Sequence, residues 1–157
     1  MDADGTGSTE LVSRANEELY GPAWSPDGSR LAFQNVTRSL MFVMDPDGAD
    51  VTELHPDVGS AYVFAGWTPD GRIAFRGVLD GKERLLSMRP DGSDVRVVLA
   101  DPPLDVPVLD WSSDGRWFLM SEPWQTGTDE TYLVSADGDE VYYLGGGSEP
   151  RWRPGSG

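Results

Sequence analysis

The chain has 157 residues, enough for one ordinary domain with a core of its own, and its 27 acidic against 12 basic residues leave a formal net charge of −15. Such a surface repels nucleic acid and anionic bilayers, and the one dense basic pair, Arg151 and Arg153, lies at the end. Cysteine is absent, which excludes disulfides, thiolate metal sites and cysteine nucleophiles; no apolar run approaches the roughly 18–20 residues of a membrane span and no basic, apolar leader opens the chain, so neither membrane insertion nor a signal peptide is expected.

In chain order, "DADGTGSTEL" (2–11) opens with an Asp-Gly turn, and 8–13 reads as a lone fourth strand followed by a crossing loop. Leu11, Ala15 and Leu19 at i, i+4, i+8 also suit a helix over 13–19. The first full unit, 20–54, reads as four strands in an up-and-down meander: "YGPAW" (20–24), "RLAFQN" (30–35), "LMFVMD" (40–45) and "DVTEL" (50–54). Asp-Gly turns join the first to the second and the third to the fourth. The fourth strand alternates apolar with polar, as an exposed outer strand should. The second unit, 62–99, repeats the pattern with "YVFAGW", "RIAFRG", "RLLSMR" and "DVRVVL"; the third, 107–144, with "PVLDW", "RWFLMS", "TYLVS" and "EVYYL". A lone first strand, 149–152, begins the partial repeat 149–157, the counterpart of the partial repeat 1–13.

Two ladders fix this alignment. Trp24, Trp67, Trp111 and Trp152 recur at spacings of 43, 44 and 41; Gly5, Gly48, Gly92 and Gly138 recur at 43, 44 and 46. A period of 40–45 residues with four strands in each unit is the signature of a propeller blade. The repeated residues read as structural. Each Trp ends a first strand, where a large ring fills the wedge between neighbouring sheets. Asp27-Gly28, Asp70-Gly71 and Asp114-Gly115 supply the turn, with Gly free to take positive φ and Asp able to bond turn amides. Pro26 and Pro69 preset φ ahead of them.

"WSPDGSRLAF" (24–33), followed by "LMFVMDPDGADVTEL" (40–54), resembles the TolB-type β-propeller repeat, a WD-like blade named for its Pro-Asp-Gly. The departures are Ser113 in place of Pro, Arg89-Pro90 in place of Asp-Pro, and a fourth copy, "WRPGSG", that lacks the Asp. The expected fold is therefore all-β: a single propeller-type domain over 1–157, with three full four-stranded antiparallel blades and a stray strand at each end. Three blades do not close a ring, since propellers have 4–8. The expectation is a partial propeller or one completed by oligomerisation, because open edges and inter-blade faces favour self-association.

The resemblance implies a non-catalytic binding or scaffold module, periplasmic or extracellular, whose partners are other proteins, and the open edges add copies of itself. Two alternatives stand beside it. Related blades form the gating part of certain serine peptidases, and the chain also reads as an excised or engineered propeller fragment. No G-x-S-x-G elbow, P-loop or H-E-x-x-H occurs, and no cofactor is expected.

Candidate binding residues lie in loops on the scaffold. Trp124 and Gln125 sit in the longest insertion, "EPWQTGTDE" (122–130); His55 and Tyr62 flank the crossing loop "HPDVGSAY" (55–62), of a kind that lines one rim near a propeller's axis. His55 is the single histidine and reads as a surface residue, although Asp57 beside it permits a catalytic triad on paper. No metal site is expected. The alternative is calcium at Asp2 and Asp4, or at Asp45, Asp47 and Asp50, where carboxylates alternate before a glycine; the EF-hand spacing and its closing Glu are missing.

Overall fold

The structure, a computed structural model, describes residues 10–12, 18–35, 39–102, 108–112, 114–121, 130–146 and 152, without the side chains of 60–62, 108 and 109. Twelve strands are found among them. The first sheet holds β1 (Leu19–Trp24), β2 (Leu31–Asn35), β3 (Leu40–Met44) and β4 (Thr52–Leu54). The second holds β5 (Gly59–Trp67), β6 (Ile73–Leu79), β7 (Lys82–Met88) and β8 (Arg96–Leu99). The third holds β9 (Val108–Trp111), β10 (Trp117–Ser121), β11 (Glu130–Ser135) and β12 (Val141–Gly146). Each sheet is an antiparallel meander in which every strand pairs with its neighbours in sequence. These are the three units read from the repeat, in an open, unclosed arrangement.

Both Asp-Gly turns of each unit are closed by backbone bonds. Gly28 N–H donates to Ser25 O (2.8 Å) and Ser25 N–H to Arg30 O (2.9 Å); the same pair recurs at Thr68 and Ser112. Between β3 and β4, Gly48 N–H donates to Asp45 O (3.0 Å) and Asp45 N–H to Ala49 O (2.9 Å). Only the glycine takes positive φ in the first kind of turn: 70° at Gly28, 77° at Gly71 and 68° at Gly115. The Asp before it keeps negative φ and acts through its side chain instead.

Stacking explains the burial. Alternate residues of the inner strands enter opposite cores, so β2 and β3 are buried on both faces. Ala32, Met41, Val43 and Leu54 of the first sheet join Trp67, Ile73, Phe75, Leu86 and Met88 of the second. Ala65, Ala74, Leu85 and Leu99 on the second sheet's other face join Phe118, Met120 and Val134 of the third. Side chains of this kind contribute about 1.5–3 kcal/mol each when fully buried. Phe33, Phe42 and Met44 point away from the second sheet into a third cluster, against which Val12 packs.

The terminal strands differ from expectation. Residues 10–12 form no strand, although the Leu11 carbonyl lies over Gly48, 2.7 Å from where a Cβ would stand. The His55 backbone lies over Gly92 and the Val98 carbonyl over Gly138 in the same way. Leu11 thus occupies a preceding blade's fourth-strand position without forming a strand. Of 149–152 only Trp152 is described, outside any strand, and 13–17 of the alternative helix lie outside the described residues; Leu19, its last residue, is in β1.

Candidate binding faces

The tryptophan ladder forms one specific contact between blades. Trp67, at the end of β5, is buried and donates its indole N–H to the carbonyl of Ala23, the residue before Trp24 (2.9 Å). Trp152 donates its indole to the carbonyl of Asp110, the residue before Trp111 (2.8 Å), and its backbone N–H to Asp110 Oδ2 (2.8 Å). The corresponding acceptor for Trp111 is Gly66, which has φ 139°; there the bond is absent, and the buried Trp111 Nε1 has no partner among the described residues. Gln34 adds a second link between the first two sheets, its Oε1 accepting from Phe64 N–H (2.9 Å).

The ends of the stack show what the neighbours would have covered. Trp24 is 55% exposed where Trp67 is 9%. Leu144, aligned in sequence with Leu54 and Leu99, is 56% exposed where they are 1% and 6%; in register it falls at a bulge beside Gly145, which stands opposite Thr131 as Leu99 stands opposite Leu85. Tyr142, on the same face as Leu144, is exposed as well, while Tyr20, Val141 and Tyr143 are exposed on the faces turned toward the second sheet. Tyr143 touches Tyr132 and Tyr142 touches Trp117, which props both rings on the third sheet. Tyr142 donates to Glu140, and this bond raises the phenol above its ordinary pKa.

The repeated aspartates are engaged in their turns. Asp27 Oδ1 accepts from Ser25 Oγ (2.6 Å), Ser29 N (3.0 Å) and Ser29 Oγ (2.8 Å), and these donors hold its carboxyl down at about 2. Ser112 Oγ and Arg116 N do the same for Asp114, and Ser135 Oγ and Asp139 N for Asp137. Ser93 Oγ and N hold Asp91. All three of these carboxyls are also lowered, in each case chiefly by the serine hydroxyl. On the second sheet a buried arginine joins this set. Arg72 donates Nε to Ser87 Oγ (3.1 Å) and Nη1 to Asp94 Oδ2 (3.1 Å). Arg96 and Arg89 also face Asp94, and Arg96 first, then Arg72, lowers its carboxyl.

Of the residues singled out in the sequence, His55 is exposed, with Nε2 3.6 Å from Glu53 Oε1. It borders an open cleft of about 530 Å³ with Asp57, Ser93 and Asp94. Its place is against the turn between β7 and β8, at the distal strands of the second blade. The one serine in that cleft gives its hydroxyl proton to Asp91, so the arrangement is not that of a triad. Tyr62 has its backbone in β5 and its side chain outside the described residues; Trp124, Gln125, Asp2 and Asp4 lie outside them altogether. Asp47 Oδ1 accepts from Ala49 N–H (2.9 Å), and among the described residues no three carboxylate or imidazole side chains gather into a metal site. Sequence reasoning missed Arg72 and the open Trp24 and Leu144; the ladder itself, read for its end members, was the signal for the last two.

No protein-family model matches the chain. Among curated proteins, the TolB homolog of Chlorobium luteolum is 28% identical over 100 residues, covering 64% of this chain and 23% of that protein. The Tol-Pal system protein TolB of Hahella chejuensis is 42% identical over 55 residues, covering 34% of this chain and 13% of that protein. The chain carries TolB-type β-propeller repeats. It spans less than a quarter of the length of these relatives. The TolB-type arrangement is also seen in the structure of a TolB candidate from Agrobacterium tumefaciens, with a TM-score of 0.62 and 21% identity over 82% of this chain and 46% of that one. The same fold is shared with puromycin hydrolase (TM-score 0.61, 20% identity, 87% of this chain and 23% of that one). It is shared too with an oligogalacturonate lyase in complex with manganese (TM-score 0.60, 18% identity, 82% and 36%). The same fold thus stands in proteins of quite different chemistry, and by itself assigns none of it.

Proposed function

We propose that this TolB-type chain is a non-catalytic binding and scaffold module that presents blade faces to other proteins and to copies of itself, in a periplasmic or extracellular setting. The observation that carries the reading is the use of the repeated polar side chains. The serine–aspartate pairs at Asp27, Asp114 and Asp137 and the Trp67 indole are committed to turns and to the inter-blade contact. The large unshared surfaces are aromatic and aliphatic: Trp24 at one end, Tyr142 and Leu144 at the other, with Tyr20 and Tyr143 exposed on the opposite faces of those sheets. Exposed apolar patches of this kind mark protein contact, and the named TolB relatives include a Tol-Pal system component.

The alternative reading, part of a hydrolase or other enzyme in which the propeller flanks a separate catalytic unit, is favoured by the shared fold of puromycin hydrolase and the lyase. One experiment separates them. The purified chain is assayed on aminoacyl-p-nitroanilides and polygalacturonate, and in parallel cross-linked to envelope proteins with a photoreactive residue at Tyr143. The binding reading expects no turnover and one discrete cross-linked protein. Turnover that copurifies with the chain contradicts it.

A further inference from the structure

The two exposed ends are the two halves of one contact that the chain already makes internally. Between the first and second blades, Leu54 and Trp67 lie in a single core, with the indole on the Ala23 carbonyl. The second and third blades bury Leu99 in the same way. At the ends of the stack the leucine half is exposed at Leu144 and the tryptophan half at Trp24. A surface that fits both halves at once is another stack of the same repeat, and a second copy of this chain carries it.

Each half is partly held by the chain itself. Trp152 sits on the Asp110 carbonyl, the place where an incoming Trp24 would donate, and its backbone N–H is fastened to the Asp110 carboxylate. Leu11 sits over Gly48, the place where an incoming Leu144 strand would lie. Its neighbour Val12 covers the Phe33–Phe42–Met44 cluster, while Trp24 at the inner end stays open.

We propose that a second copy docks head to tail, Trp24 of one copy taking the Asp110 carbonyl of the next in exchange for that copy's own Trp152. Trp152 is then an internal competitor that holds association back. The exchange conserves the indole–carbonyl bond and adds burial of Trp24 and Leu144. Each copy brings a charge of −15, so salt strengthens the pairing by screening. The proposal rests on the binding-module reading and deepens it by naming one partner.

The test is light scattering coupled to size exclusion on the whole chain, across a hundredfold dilution and at two salt concentrations. The 17.1 kDa chain is expected to associate reversibly, more at high salt. Trp152→Ala should tighten association by about tenfold or more, equivalent to about 1.4 kcal/mol. Asp110→Ala, which frees the Trp152 backbone while keeping the acceptor carbonyl, should act in the same direction. Trp24→Ala should abolish association, and Trp24→Phe, which keeps the ring and lacks the donor, should fall between. Circular dichroism confirms that each variant is folded. Mass fixed at one chain in both wild type and Trp152→Ala overturns the proposal, as does a multimer that Trp24→Ala leaves unchanged. Either result leaves the binding reading standing if the Tyr143 cross-link to an envelope protein persists, so the two failures are told apart.

Discussion

The indole N–H of Trp67 donates to the carbonyl of Ala23 across 2.9 Å of space and 44 residues of chain. This bond ties one blade to the next at their first strands, inside a core where water does not replace it. Trp67→Phe removes the donor and leaves that carbonyl short of a partner. The expected loss is about 1–3 kcal/mol, with Tm falling roughly 2–4 °C for each kcal/mol in a chain of this size. Trp24→Phe, the same substitution at the exposed end, should stay within about 0.5 kcal/mol. Thermal unfolding of the two variants, at a concentration where the chain is a monomer, makes the comparison.

The turn aspartates tie stability to pH. Asp27 is held at about 2 by Ser25 and Ser29, below its ordinary value of 3.8, and Asp114 and Asp137 are also lowered. A carboxyl depressed in the folded chain favours folding wherever the unfolded carboxyl would be ionised, and that contribution fades as pH falls through the folded value. Stability from these turns is therefore complete above about pH 5 and lost toward pH 2. Relief of the overall negative charge acts on all variants alike, so the difference between proteins carries the answer. The urea midpoint of Asp27→Asn should lie below that of the wild type at pH 7 and converge with it near pH 2.

Two glycines separate backbone strain from docking. Gly28 and Gly48 both have positive φ, 70° and 87°. A Cβ at Gly28 meets nothing within 4 Å, whereas at Gly48 it stands 2.7 Å from the Leu11 carbonyl. Gly28→Ala should cost about 1–2 kcal/mol for the left-handed conformation alone. Gly48→Ala should cost that and more, because the 10–12 segment must shift. Deleting residues 1–12 from both variants should bring the two costs together, measured by urea unfolding.

Arg72 spans Ser87 and Asp94 with a planar fork while itself buried. A lysine keeps the charge but cannot hold both partners. Arg72→Lys should lower stability by about 1.5–3 kcal/mol, the range for hydrogen bonds to charged groups. If the charge alone mattered, the variant would unfold with the wild type.

Most of the strand order was legible because the signals are local: each Asp-Gly turn closes within a few residues, and the tryptophan period sets the phase. Context decided the rest. Trp24 and Trp67 are the same residue in the same repeat position, yet one is open and one buried, since exposure depends on whether a neighbouring sheet is present. The lone fourth strand expected at 8–13 lies over Gly48 at Leu11, but residues 10–12 form no strand. The first strand of the second unit starts at Gly59, before the expected 62, and the second runs on to Leu79, past the expected 77, because β5 and β6 pair beyond their apolar runs, as at Gly59 and Val78. His55 drew attention as the single histidine, and the fold sets it against the turn of the next blade. Arg72 carried no signal, since its counterpart Arg30 is exposed; its role arises from Ser87 and Asp94, which only the folded sheet brings near.

The central claim is that the tryptophan contact joining the first blade to the second at Trp67 is left open at Trp24. Solvent exchange of the assigned indole N–H protons tests it most directly, in a sample dilute enough to be monomeric. The account expects slow exchange at Trp67 and Trp152 and fast exchange at Trp24. A Trp24 proton as protected as that of Trp67, or a Trp67 proton that exchanges as freely as Trp24, would contradict it.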